Sequence, residues 1–166
     1  KFGTMLRFGV GSGHAHNDTL DIGVFAHGIR ATSDVGGRSS GRYGRPNCMS
    51  TYVHNTVQVD EGDFNDGPKN STAQGWLTAF KPYGLAQYVS GAARSDSQPH
   101  VSDYRRGVLQ VISDPGSDTS PAQGYVFDVF RVAGGKTHTW CFHGCPSEEF
   151  KTNARLSPAS SELAKR

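Results

Sequence analysis

The sequence predicts an antiparallel β-sandwich, or part of one, from three observations. Short stretches of β-branched and aromatic residues show rough alternation, glycine or proline separates them, and nothing before Ser157 has convincing helical periodicity. Glycine contributes 21 and proline 8 of the 166 residues, which is typical of a turn-rich chain. The expected fold class is therefore all-β, with long glycine-rich loops.

Composition limits both the number of domains and the kinds of partner. With 166 residues, 35% of them hydrophobic and 19% charged, the chain suits one domain with one core, which excludes collagen-like, disordered and coiled-coil proteins. The net charge of +2 is too small to indicate a nucleic-acid footprint or a polybasic membrane patch. No stretch approaches the roughly 20 apolar residues of a membrane span. We therefore expect no nucleic-acid partner and no membrane.

The first residues and the cysteines leave two questions open. The chain begins KFGT, without an initiator Met or an apolar signal core, so we expect that a leader was removed or that the sequence is a piece of a longer one. The cysteines are Cys48, Cys141 and Cys145, an odd number without zinc-ribbon spacing. One disulfide with a spare thiol, or no disulfide, is consistent with this pattern.

Six segments are predicted as strands. They are residues 22–25, 52–59, 86–89, 106–112, 125–132 and 137–142. Alternation in the fifth segment would place Val126, Asp128, Phe130 and Val132 on one face. Paired glycines at 134–135 supply the positive φ of a tight turn, which predicts an antiparallel hairpin over residues 125–142. Residues 106–112 should pair nearby, across a polar loop at 113–121.

Two long irregular stretches, residues 35–44 and 61–72, are where we expect functional loops in a strand scaffold. Exposed edges of the sandwich would allow self-association.

The most informative stretch is GSGHAHND at residues 11–18, a glycine-rich turn followed by two histidines and an acid. On an extended chain His14, His16 and Asp18 would point to the same side, because side chains alternate with period two. Asp34 and His54 follow further along the chain. A His, Asp, His set with one open coordination position suits zinc. The alternative is that these are surface or hydrogen-bonded histidines, because widely spaced ligands are a weaker signal than a Cys-x-x-Cys pair.

Four ordered blocks of sequence resemble the β-sandwich domain of the heparinase II/III-like polysaccharide lyases. They are GHAHNDTLD at 13–21, FAHG at 25–28 followed by SDVG at 33–36, HNTVQVD at 54–60, and YVFDVFRVAGGK at 125–136 followed by FHG at 142–144. The resemblance covers most of the chain. It implies a sandwich domain over residues 1–150 and a C-terminal tail over residues 151–166.

The resemblance implies roles for particular residues. His16, Asp34 and His54 match the positions that bind a metal, usually zinc, in that family. His14 matches the histidine that faces the substrate cleft and assists catalysis. Asp18 is expected behind the ligands, in contact with them.

The implied reaction is β-elimination on an acidic polysaccharide. A base removes the C5 proton beside the uronic acid carboxylate, and that carboxylate must be neutralised. His14 could neutralise it or donate a proton. Arg38, Arg42 and Arg45, on the glycine-rich loop, could pair with carboxylate or sulfate, and His143 is a further substrate-binding candidate.

Lyases that resemble this sequence carry an N-terminal α/α toroid that supplies the catalytic Tyr and a His or Asn, and this sequence contains no such helical domain. Tyr43, Tyr52 and Tyr104 are therefore expected to have packing or loop roles. The resemblance implies part of a secreted or periplasmic lyase whose partners are an acidic polysaccharide and the N-terminal domain of a parent chain. The alternatives are a non-catalytic structural or glycan-binding module that keeps the metal site, and a small metal-dependent hydrolase.

Overall fold

The computed structural model describes residues 2–8, 16–32, 49–64 and 74–144. Within these ranges the chain forms nine strands and one 3-10 turn. The strands are β1 (Phe2–Leu6), β2 (Ile22–Ala26), β3 (Ile29–Arg30), β4 (Val57–Val59), β5 (Gln74–Lys81), β6 (Ala86–Arg94), β7 (Asp103–Asp114), β8 (Gln123–Ala133) and β9 (His138–Trp140). The 3-10 turn, Thr51–Val53, precedes β4. The predicted all-β class is confirmed.

The described strands form three antiparallel sheets. One contains β1, β2 and β3 in that order, a second pairs β4 with β9, and the largest is a meander of β5, β6, β7 and β8. The four-stranded meander contains the longest strands. Its strands pair in sequence order, because antiparallel strands that follow each other directly can pair through a short connection.

Buried apolar side chains from all three sheets form one core. Leu6 and Ile22 come from the first sheet, Val57 and Val59 from the two-stranded sheet, and Tyr104 from the meander. The full buried cluster is Leu6, Leu20, Ile22, Val57, Val59, Phe64, Ala93, Tyr104 and Val108. Because the meander packs one face against the two smaller sheets, the architecture is a β-sandwich.

The alternation predicted for the fifth segment is confirmed in β8. Val126, Asp128, Phe130 and Val132 are half-buried on the inner face, and the residues between them are exposed on the other face. Strand β7 pairs with β8 as expected, with Tyr104 opposite Val132. The segments 22–25, 86–89 and 106–112 also lie within strands.

The predicted hairpin over residues 125–142 is wrong, although its turn exists. Gly134 and Gly135 adopt φ values of +92° and +79°. The chain after this turn leaves the meander, and β9 pairs with β4, placing Trp140 opposite Val57. The carboxylate of Asp60 accepts hydrogen bonds from the N–H groups of Lys136 and Thr137, at 2.7 and 2.8 Å. These hydrogen bonds join residues that are far apart in the sequence, and they hold the segment before β9 against the end of β4.

Three strands are absent from the sequence prediction, and one predicted strand is too long. The absent strands are β1, β3 and β5, although the Pro82 to Gly84 turn between β5 and β6 is a signal for β5. The segment 52–59 is a strand only from Val57 to Val59.

Some predictions fall outside the described residues. These include the loop at 35–44, most of the loop at 61–72, the C-terminal tail and both Cys48 and Cys145. Cys141 is a buried free thiol, and burial raises its pKa. In the part of the chain that the structure describes, no helix is long and apolar enough to cross a membrane.

Candidate metal centre

Three side chains that can bind metals meet inside the sandwich. His16, Asp18 and His54 are 8%, 4% and 0% exposed, and one potential ligand atom from each lies within 4.8 Å of the others. The His16 Nδ1 and His54 Nε2 atoms are 3.0 Å apart. The structure therefore brings together the two histidines that the sequence singled out, together with Asp18.

Two loops position this cluster. His16 and Asp18 precede β2, and His54 lies between the 3-10 turn and β4. The Thr56 hydroxyl donates to the Thr19 carbonyl at 2.9 Å, which links one loop to the other.

A second link comes from Asp21, whose carboxylate accepts the N–H of Asn55 at 2.7 Å. Asn55 lies next to His54 in the sequence. The backbones that carry the three side chains are therefore held together by hydrogen bonds between the loops.

A backbone hydrogen bond sets the tautomer of His54. Its Nδ1 lies 2.9 Å from the Ser50 carbonyl oxygen, which can only accept, so Nδ1 carries the proton. Nε2 then presents its lone pair toward His16 and Asp18. Metal-binding histidines usually donate their other ring N–H to a carbonyl or carboxylate in this way.

The donor set fits zinc. Zinc in proteins takes imidazole nitrogen at about 2.0–2.1 Å in tetrahedral geometry, which puts two ligand nitrogens about 3.3 Å apart. The observed 3.0 Å between the His16 and His54 nitrogens is close to this separation. Two imidazoles and a carboxylate also form a common ligand combination for this metal.

The environment of Asp18 is suited to a cation. Burial raises the pKa of Asp18 to about 6, while the charge of Arg7 acts in the opposite direction. The Arg7 Nη1 atom lies 2.5 Å from Asp18 Oδ2, although the Arg7 side chain is 47% exposed. A divalent ion among the three ligand atoms would further stabilise the buried carboxylate.

The other predicted site residues have different outcomes. His14, Asp34, Arg38, Arg42 and Arg45 lie outside the described residues, and their roles stay predictions.

His143 is described, and it lies beside the His54 loop. Its N–H donates to Asn55 Oδ1 at 2.7 Å and its Nε2 lies 2.8 Å from the Tyr52 carbonyl oxygen. A substrate-binding role for it stays a prediction. Tyr104 is buried in the core and Tyr52 is half-buried beside the loop.

Sequence reasoning missed the most buried charged side chain of the described chain, Arg106, which is 1% exposed. It lies on the inner face of β7 and forms a bidentate ion pair with Asp128 on β8. A signal was present, because alternation places Arg106 and Asp128 on the inner faces of two strands that were expected to pair. A buried arginine on one strand and an acidic side chain on the same face of the neighbouring strand indicate an ion pair.

Fold and site together define a class: an antiparallel β-sandwich with a buried His–Asp–His cluster that could hold a metal ion. The family model described as heparinase II/III-like, C-terminal, matches residues 5–162. The chain belongs to this family, which confirms the resemblance seen in the sequence. No curated protein and no solved structure matches the chain.

Proposed function

We propose that this chain is the metal-binding β-sandwich part of a polysaccharide lyase that cleaves uronic-acid-containing polysaccharide by β-elimination. The observation that carries the proposal is the meeting of His16, Asp18 and His54 in the interior of a chain that belongs to the heparinase II/III-like family. The proposed metal is zinc.

The metal would have a structural role. His16 and His54 are the proposed ligands, with Asp34 as the third ligand implied by the family resemblance and Asp18 available at ligand distance. Zinc bound there would join two loops that carry no regular secondary structure at these positions. His14 precedes His16 by two residues, so an anchored His16 restrains the backbone that carries the proposed catalytic histidine.

In the proposed reaction His14 contacts the substrate. The C5 proton of a uronic acid is weakly acidic, and a hydrogen bond or positive charge at the adjacent carboxylate makes its removal easier. His14 would neutralise that carboxylate or donate a proton. Arg38, Arg42 and Arg45 would bind further carboxylate or sulfate groups. The N-terminal domain of a parent chain would supply the catalytic tyrosine, and the enzyme would act outside the cytoplasm, as a secreted or periplasmic protein.

A second candidate function is a non-catalytic structural or glycan-binding module that keeps the metal site. The burial of the cluster favours it, because His54 is 0% exposed and a site that is closed to solvent suits a structural metal. In both candidate functions the metal holds the two loops together. The two functions differ in whether a polysaccharide is cleaved beside the metal site.

Elemental analysis tests the metal site. The wild-type protein and a control, His138→Ala, are expected to contain about one zinc per chain, while a His16→Ala, His54→Ala double variant should contain none. His138 suits the control because it is an exposed imidazole on β9. A wild-type protein without metal, or a double variant that keeps it, would show that the ligand set is wrong.

A lyase assay separates the two functions. The parent protein that contains this chain is incubated with alginate, heparin and other uronic-acid polysaccharides, and the ultraviolet absorbance of the unsaturated product is followed. We expect product to form and to decrease strongly in a His14→Ala variant. Binding of a polysaccharide without any product would contradict the lyase and support the glycan-binding module.

A further inference from the structure

A single guanidinium connects the meander to both loops of the metal centre. Arg106 lies on β7, with its side chain 0% exposed. Its Nε and Nη2 donate to the two carboxylate oxygens of Asp128 at 2.8 and 2.5 Å. This bidentate pair leaves Nη1 directed away from Asp128.

Nη1 of Arg106 donates to two backbone carbonyls, one in each loop. The Leu20 carbonyl oxygen is 2.7 Å away, and the Asn55 carbonyl oxygen is a second, shorter contact. Leu20 follows Asp18 by two residues, and Asn55 directly follows His54. The arginine therefore binds the backbone of the first loop two residues after Asp18 and the backbone of the second loop one residue after His54.

The conformation of Leu20 shows that this part of the loop is constrained. Its φ is +60°, in the left-handed region that non-glycine residues rarely adopt. Leu20 is also fully buried in the core. Such a conformation persists only where the surroundings over-determine it, and the hydrogen bond from Arg106 to the Leu20 carbonyl is one of the contacts that do so.

The guanidinium itself is fixed from its other side. The Arg106 Cζ atom lies 5.1 Å from the ring centroid of Phe130, the residue opposite Arg106 in the β7–β8 pairing. With Asp128 and the Phe130 ring as supports, the guanidinium plane has little freedom. Its orientation sets where Nη1 points.

We propose that Arg106, with Asp128 as its counter-ion, is a positioning residue for the metal centre that fixes the separation of its two ligand loops. The inference rests on the proposed metal site. It goes beyond that site by assigning metal affinity to a residue of the opposite sheet, which hydrogen-bonds to Asp128 and to the backbone carbonyls of the two loops. Partners that orient metal ligands typically change metal affinity by about 10- to 100-fold when they are replaced.

Three variants test this assignment. Arg106→Lys keeps the charge but loses the fork that reaches Asp128 and both carbonyls together. Asp128→Asn keeps the shape and removes the counter-charge. Val89→Ala is the control, because Val89 packs against the same core from the neighbouring strand β6. For each protein the zinc dissociation constant is measured by chelator competition, and the stability of the metal-free form by urea unfolding.

A second readout reports geometry. The visible absorption spectrum of the Co²⁺-loaded protein depends on how the ligands are arranged. A residue that only contributed to folding would leave this spectrum unchanged in the fraction that is folded.

We expect Arg106→Lys to weaken zinc binding about 10- to 100-fold and to alter the Co²⁺ spectrum, with a smaller loss in Asp128→Asn. Val89→Ala should lose stability and keep its affinity within about threefold. Wild-type zinc affinity in both Arg106→Lys and Asp128→Asn would overturn the inference and leave the metal site intact. Equal losses in all three variants, in proportion to stability, would also overturn it. A wild-type protein that binds neither ion would refute the site itself. If Arg106→Lys does not fold, Asp128→Asn decides the same question.

Discussion

Replacing Tyr104 by phenylalanine is expected to destabilise the protein while leaving its core packing intact. Tyr104 is 1% exposed, and its ring stacks on Phe64 with centroids 3.9 Å apart. Its hydroxyl donates to the Val57 carbonyl at 2.6 Å and lies 3.0 Å from the Thr56 hydroxyl. The substitution removes one oxygen atom and keeps the ring, so it tests these hydrogen bonds alone.

The size of the effect follows from what is left behind. A typical intramolecular hydrogen bond contributes about 1 kcal/mol, and a buried acceptor without its donor costs about 1–3 kcal/mol. Thr56 keeps its contact with the Thr19 carbonyl, so only the Val57 carbonyl loses its hydroxyl donor. We therefore expect a loss of about 1–3 kcal/mol in the free energy of unfolding.

The pH dependence gives an independent check. Burial raises the pKa of Tyr104 well above its ordinary value, and the contacts with Thr56, Val57 and Arg106 oppose this only in part. The folded protein therefore holds the phenolic proton more tightly than the unfolded chain. This contribution is fully present below about pH 10, the ordinary tyrosine pKa, and is lost as pH rises through the folded value. Phenylalanine cannot ionise, so the variant should lack this part of the alkaline destabilisation.

Urea unfolding at neutral and alkaline pH measures both effects. The control is Tyr125→Phe, because Tyr125 is half exposed on the outer face of the same sheet and should change stability by less than about 0.5 kcal/mol. The difference between wild type and Tyr104→Phe should shrink above about pH 10. An equal effect in the two variants at neutral pH, or a difference that grows in alkali, would refute the reasoning.

Three further predictions concern the turn after β8, its partner and the metal. Gly134→Ala should lower the free energy of unfolding by on the order of 3 kcal/mol, because φ is +92° and a Cβ would collide with the His100 carbonyl oxygen. Thermal or urea unfolding measures this loss, and an unchanged midpoint would contradict the geometry. The N–H groups of Lys136 and Thr137 hold the pKa of Asp60 below its usual value. Asp60→Asn should therefore lower the melting temperature at neutral pH, and the gap should close as pH falls below about 4, whereas a gap that widens in acid would show the wrong sign. Adding a chelator to the zinc-loaded protein should remove about 4 kcal/mol of stability at a zinc concentration 1,000 times the dissociation constant, and it should not affect the double histidine variant.

The sequence predicts the layers of this fold better than its strand pairing. The inner face of β8 follows from alternation, because a strand with one face toward the core must place apolar side chains at every second position. The partner of β9 does not follow, because pairing across the sandwich depends on Asp60 and the β4 backbone, which are more than 70 residues away from it in the sequence. Local patterns contain no information on which of two neighbouring sheets a short strand will join.

The candidate site, too, is only partly predictable from the sequence. The His-x-His and His-Asn-Thr blocks single out His16 and His54 in the sequence, because both histidines lie within the ordered set of motifs that resembles the family. Only the folded chain places their nitrogens 3.0 Å apart, brings Asp18 to ligand distance and inserts Arg106 beneath both loops. Residue types and their order determined the family and the chemistry available to it. Burial and contacts between distant segments determined the geometry, because only tertiary packing can desolvate these groups and fix the distances between them.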